Sequence, residues 1–103
     1  MLHEITSEHF TNLLTTPSTL HLPNGNSLIV MIEAVTLKPQ SRLPESPRIP
    51  FTVMLHSVEP TTFASGLCAL DLAPLGRMEE IFVSREPAMG RDASLGYFNI
   101  VFN

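Results

Sequence analysis

Residues 27–37 read SLIVMIEAVTL, the longest apolar run in the chain, interrupted only by Glu33 and Thr36. A run of this length fits either a buried helix or a buried strand, because hydrophobic periodicity alone does not separate the two. Its neighbours decide. Asn24-Gly25 precedes it and supplies the positive φ that a tight hairpin turn needs. A proline-rich stretch follows it, and its Ile and Val content favours a strand. Strict alternation places Leu28, Val30, Ile32 and Ala34 on one face and Ile29, Met31, Val35 and Leu37 on the other. With both faces apolar, the expectation is an interior strand. Its second face is then covered by the helix that carries Phe10, or by a partner.

Upstream, residues 18–22 alternate, Leu20 and Leu22 against Thr19 and His21, and complete the hairpin. Before them, Thr6 or Ser7 can cap a short helix, Glu8 suits its positive end, and Phe10, Leu13 and Leu14 fall at helical spacing. Thr15, Thr16 and Pro17 end that helix, whose small apolar face suits a plug across the end of a sheet.

Downstream, residues 38–50 read KPQSRLPESPRIP. Pro39, Pro44, Pro47 and Pro50 exclude a regular helix or interior strand, since each lacks a donor and restricts its predecessor. An extended, proline-stiffened loop loses little entropy on docking, so Lys38, Arg42, Leu43, Pro44, Pro47 and Arg48 form a candidate partner-contact surface. Further strands are predicted over 51–59, 66–72, 77–84 and 95–102, with Phe63 tucked onto the core from its connector and 85–94 as loop. The fold expectation is a single mainly-β domain over 1–103. It has about six strands in an antiparallel meander, closed into a small barrel or folded as a sandwich, with one short N-terminal helix.

Composition narrows the function classes. At 103 residues the chain holds one core, and 44% apolar against 16% charged residues is too apolar for disorder. Net charge is −4 and the six Lys and Arg are scattered, which argues against nucleic acid as a partner. A single cysteine excludes an intramolecular disulfide and a cysteine metal cluster. The N-terminus lacks the pattern of a signal peptide, and the 27–37 run is shorter than the roughly 20 apolar residues of a membrane helix. The expectation is a soluble protein with no membrane contact, cytoplasmic or part of an assembly exported without a cleaved signal.

No catalytic constellation stands out, and the chain is expected to be neither an enzyme nor a carrier of any cofactor. His3, His9, His21 and His56 are far apart in sequence and form no paired-ligand motif, so no metal is assigned. Cys68 lies in an apolar alternation and reads as a small buried hydrophobe. Glu79 and Glu80 are adjacent, and on a regular strand they point to opposite faces. Glu33 reads as solvated, or else buried against Arg48 or Lys38. Gly90-Arg91-Asp92 reads as an ordinary turn.

Arg48-Ile49-Pro50-Phe51, Gly66 with its alternating strand, Leu75-Gly76, Ile81-Phe82-Val83 and the terminal FNIVFN resemble a family of small bacterial domains of unknown function. That family has an Arg-x-Pro-Phe strand, a Gln-Gly-x-Tyr strand, a Leu-Gly turn, a Phe-rich strand ending in Pro, and a final Tyr-x-x-x-Phe-Asn. This chain departs at Ser65, Cys68, Ser84 and Phe98. The resemblance implies a shared fold and association with phage-tail-collar-like or adhesin-like assemblies. The functional expectation is a non-catalytic interaction or structural module that binds a protein partner or itself. The alternative is a β-barrel carrier of a small ligand, and an enzyme comes third, to be raised if Glu33 or Asp71 meets a histidine in a cleft.

Overall fold

The hairpin at Asn24-Gly25 forms, with Gly25 at φ +89 and the Leu22 and Asn26 backbones bonded at 2.8 Å. It joins β1 (Pro17–His21) to β2 (Ser27–Leu37) in the computed structural model, which describes residues 6–14, 16–39, 44, 49–72 and 76–102. The remaining elements are α1 (Ser7–Thr11), β3 (Phe51–Pro60), β4 (Ser65–Leu72), β5 (Gly76–Glu86) and β6 (Leu95–Phe102). All six strands pair antiparallel into a closed barrel in the order β1-β2-β3-β6-β5-β4. The mainly-β barrel with one short helix is therefore as expected, but it is not a single meander. Two three-stranded meanders, β1–β3 and β4–β6, meet through β3 with β6 and through β1 with β4. The 61–64 connector has no strand pairing and sends the chain across the barrel end instead of into a hairpin.

The apolar run on β2 does not alternate strictly. Ile32 pairs with Leu55 but Ala34 pairs with Met54, so Glu33 is an extra residue, a β-bulge. One extra residue exchanges the faces of everything after it. Leu28, Val30 and Ile32 point inward before the bulge. Beyond it Val35 packs inward opposite the buried Val53, while Leu37, opposite Phe51, stands at the rim and is 51% exposed. The strict alternation assumed from sequence holds through Ile32, with Ile29 and Met31 on the outer wall, and fails beyond Glu33, where Ala34 is outward and Val35 inward.

Nor does α1 cover an outer face of β2. Phe10 enters the barrel end, its ring 6.0 Å from Phe51 and 5.3 Å from Phe102, which stack on each other at 4.8 Å. Burying a side chain of this size contributes roughly 1.5–3 kcal/mol. The plug reading holds, but the plug seals the interior. Leu20, Val30, Leu55, Leu70, Phe98 and Ile100 fill the barrel behind it, each at most 1% exposed. At the opposite end Arg85 donates to the carbonyls of Thr61, Phe63 and Leu95 at 2.9–3.0 Å, tying the connector to β6, and the Phe63 ring packs 5.7 Å from Phe98.

The two ends of the proline-rich segment meet, since Lys38 N–H donates to Pro50 O at 2.6 Å. Lys38 and Pro44 are exposed. Arg42, Leu43, Pro47 and Arg48, the rest of the proposed contact surface, lie outside the described residues.

Gly96 shows how tightly the far end is packed. A Cβ there would lie 2.4 Å from Phe98 Cζ and 2.8 Å from Thr61 Cγ2, and the Gly96 N–H is held by the buried Ser57 hydroxyl at 2.8 Å. Gly96→Ala should cost roughly 1–3 kcal/mol in urea unfolding, the range of an overpacked core. An unchanged unfolding midpoint would show that Phe98 can move aside.

Candidate functional site

The bulge that corrects the interior also aims Glu33 at the outer wall of β2, β3 and β6. There Met31 lies opposite His56 and His56 opposite Tyr97, so the side chains at positions 31, 56 and 97 form one row across three strands. Glu33 meets this row. Its Oε2 is 2.8 Å from His56 Nδ1. The approach is not along a hydrogen-bond direction, and this buried nitrogen makes no well-formed hydrogen bond, so the contact is a close charge pairing available to a protonated ring.

The fourth member arrives from the 87–94 loop, 58 residues away in sequence. Arg91 Nη1 donates to Glu33 Oε1 at 3.2 Å and to Oε2 at 2.9 Å. Its Cζ lies 3.8 Å from the centre of the Tyr97 ring, a cation–π stack. Tyr97 faces outward yet is only 4% exposed, because it is covered from outside. Glu33 lies on the exposed outer face, as the solvated reading expects, and is paired there with Arg91 and His56 instead of Lys38; Arg48 lies outside the described residues.

Arg91 also holds its own turn, with its N–H and Nε both donating to Ala88 O at 3.1 and 3.0 Å. Met89 at φ +54 and Gly90 at φ +89 give the turn two left-handed residues in succession. Glycine tolerates that conformation, whereas a residue with a Cβ pays about 1–2 kcal/mol for it. Met89 pays it while 83% exposed. Next in the chain, Asp92 Oδ1 accepts from the Ser94 hydroxyl at 2.7 Å and the Ser94 N–H at 3.0 Å, which holds its carboxyl pKa below the usual value. This support is present above the ordinary aspartate range and lost as pH falls through the lowered pKa.

A second carboxylate–histidine pair sits on the opposite wall, where His21 Nε2 is 3.0 Å from Asp71 Oδ2. His21 borders an open depression of about 470 Å³ lined also by Cys68, Arg77, Glu79 and Glu80. The two glutamates do not point to opposite faces. A bulge between Met78 and Ile81, with Glu80 at φ +59, leaves both exposed between two inward residues. Arg77 Nε lies 3.5 Å from Glu79 Oε1. Cys68 is buried as expected, and burial pushes its thiol pKa up, which disfavours the nucleophilic thiolate. His9 Nδ1 accepts from Thr6 N–H at 2.9 Å. Among the described residues no three His, Cys, Asp or Glu side chains converge on a metal position, and His3 lies outside them.

Sequence reasoning missed Arg91 and Tyr97 altogether, because their meeting with Glu33 depends on strand order and not on spacing. What the cluster can do chemically is grip a planar cation, with a carboxylate along its edge and a ring beneath its face. No protein-family model, curated protein or solved structure matches the chain.

The chain has one tyrosine and no tryptophan, so its intrinsic fluorescence reports Tyr97 alone. Arg91→Ala should raise acrylamide quenching of that signal severalfold and lower stability by about 1 kcal/mol, the scale of one half-exposed ion pair with a ring stack. Quenching equal to wild type would mean that Tyr97 is shielded by something else. Met89→Gly should instead raise stability by roughly 0.5–1 kcal/mol, since relief of the left-handed strain exceeds the added chain entropy. A drop in thermal midpoint would remove the strain argument.

Proposed function

We propose that this domain is a non-catalytic docking module that works through its outer walls, on itself or on a larger assembly. The observation that carries the reading is an exposed apolar pair. Leu67 on β4 and Phe82 on β5 face each other across the register and are 61% and 58% exposed on the barrel exterior. Val101 of β6 is a further exposed apolar side chain, at 59%. Large apolar side chains adjacent on an outer wall mark an interaction surface when they group and carry little meaning when they scatter.

The edge beside them supports the same reading with a qualification. β5 pairs with β6 only over Ser84 to Glu86, so among the described residues its first half has β4 alone as a strand partner. The bulge and charges at Glu79 and Glu80 discourage strand addition there, as edge protection does in other sheets. Contact through the faces of Leu67 and Phe82 is therefore favoured over edge-to-edge pairing.

A filled interior favours docking over ligand carriage, because a barrel whose lumen is occupied by Leu55, Leu70 and Phe98 keeps no room for a guest. The carboxylate–histidine pairs do not raise the enzymatic reading far. Glu33 is already engaged by Arg91, and the thiol nearest His21 is buried. The resemblance to small bacterial domains near phage-tail-collar-like and adhesin-like proteins gives the proposal its setting: an accessory subunit of such an assembly.

Analytical ultracentrifugation across the micromolar range tests this. The wild type should sediment above monomer mass alone or with the products of adjacent genes, and Phe82→Lys should abolish that shift with an unchanged circular dichroism spectrum. A wild type that stays monomeric, with no complex among its neighbours' products, overturns the reading.

A further inference from the structure

We propose that Glu33 and Tyr97, with His56 set against Glu33, form a receptor for an arginine side chain, which the chain fills with its own Arg91, so that the 87–94 loop competes with an arginine presented by a protein partner. The partner's existence rests on the docking reading above, whereas the receptor stands on geometry of its own.

The occupant identifies the ligand chemistry. One guanidinium nitrogen reaches both oxygens of Glu33, at 3.2 and 2.9 Å, while the guanidinium carbon lies 3.8 Å from the Tyr97 ring centre. A planar, delocalised cation satisfies edge and face together. An ammonium is a compact point charge and cannot stack in this way, so lysine is a poor substitute.

Receptor and occupant differ in origin. The three receptor residues lie on β2, β3 and β6, which are neighbours in the barrel, and the loop contributes none of them. Glu33 reaches its place through a β-bulge, a device that re-aims a side chain and recurs beside functional sites. The occupant comes from a turn with Met89 at φ +54, a conformation that opening would relax. Among the described residues, the side-chain hydrogen bonds from residues 88–91 to the barrel wall all come from the Arg91 guanidinium. The other bonds of Arg91 run to Ala88, within the turn itself, so the turn can leave as a unit.

A receptor filled by an internal competitor shows an apparent affinity reduced by the fraction of time it stands open. Removing the competitor must therefore strengthen binding of an outside arginine. The test is a titration, read by Tyr97 fluorescence, of a blocked glycyl-arginyl-glycine peptide into wild type, Arg91→Ala, and Arg91→Ala with Glu33→Gln, with the lysine peptide as control. Arg91→Ala should bind the arginine peptide saturably and at least about tenfold more tightly than wild type. The Glu33→Gln double variant and the lysine peptide should each lose that gain. Equal weak responses in all arms, or equal binding of the lysine peptide, overturn the proposal. If Arg91→Ala does not fold, Arg91→Lys replaces it: greater quenching of Tyr97 than in wild type, reversed by the arginine peptide, supports the receptor, and unchanged quenching overturns it. Binding to Arg91→Ala with no partner in the sedimentation experiment would retain the receptor and remove only the docking reading.

Discussion

One extra residue on β2 governs both the inside and the outside of this barrel. Without the bulge at Glu33, the inward row Leu28, Val30, Ile32 would continue to Ala34 and Thr36, and Val35 and Leu37 would face outward. The bulge puts Val35 opposite Val53 and Leu37 opposite Phe51, and Phe51 is the ring against which the Phe10 plug packs. The same extra residue gives Glu33 its place beside His56. The filled core and the charged cluster are two consequences of one backbone irregularity.

A second bulge, at Glu79 and Glu80, does comparable work on the opposite wall. It keeps Met78 and Ile81 both inward and leaves two carboxylates outside, next to a strand half paired on one side only. Small closed barrels need sharp local bends, and bulges supply them. These two bulges carry glutamate, so each also places a charge on the exterior. The two walls then differ in kind. The β2-β3-β6 wall holds Tyr97 under a guanidinium, and the β4-β5 wall leaves Leu67 and Phe82 open.

Local chemistry was legible in the sequence where it is local. Asn24-Gly25 announced its hairpin, helical spacing announced Phe10 as a plug, and alternation announced the strands and the burial of Cys68. Strand order was not legible, because the pairings of β1 with β4 and β3 with β6 join segments with no turn between them. The bulge left a trace that strict alternation hid. Residues 28–32 are apolar at every position, so their pattern fixes no parity, and only the 34–37 half, with Val35 and Leu37 apolar against Thr36, carries an alternation that a bulge could shift. Most of the candidate site stayed hidden, since Arg91 reaches Glu33 and Tyr97 only after the barrel closes. Its loop announced a turn, and the turn is there, but nothing local tells where its guanidinium lands.

The bulge is open to direct measurement. In an antiparallel pair, residues directly opposite bring their backbone protons close enough for nuclear Overhauser contacts across the strands. The expected contacts join Ile32 to Leu55 and Ala34 to Met54, with Glu33 unpaired between them. Contacts of Ala34 with Val53, the register of an unbroken strand, would contradict the bulge, and both the single interior face of β2 and the placement of Glu33 would fall with it.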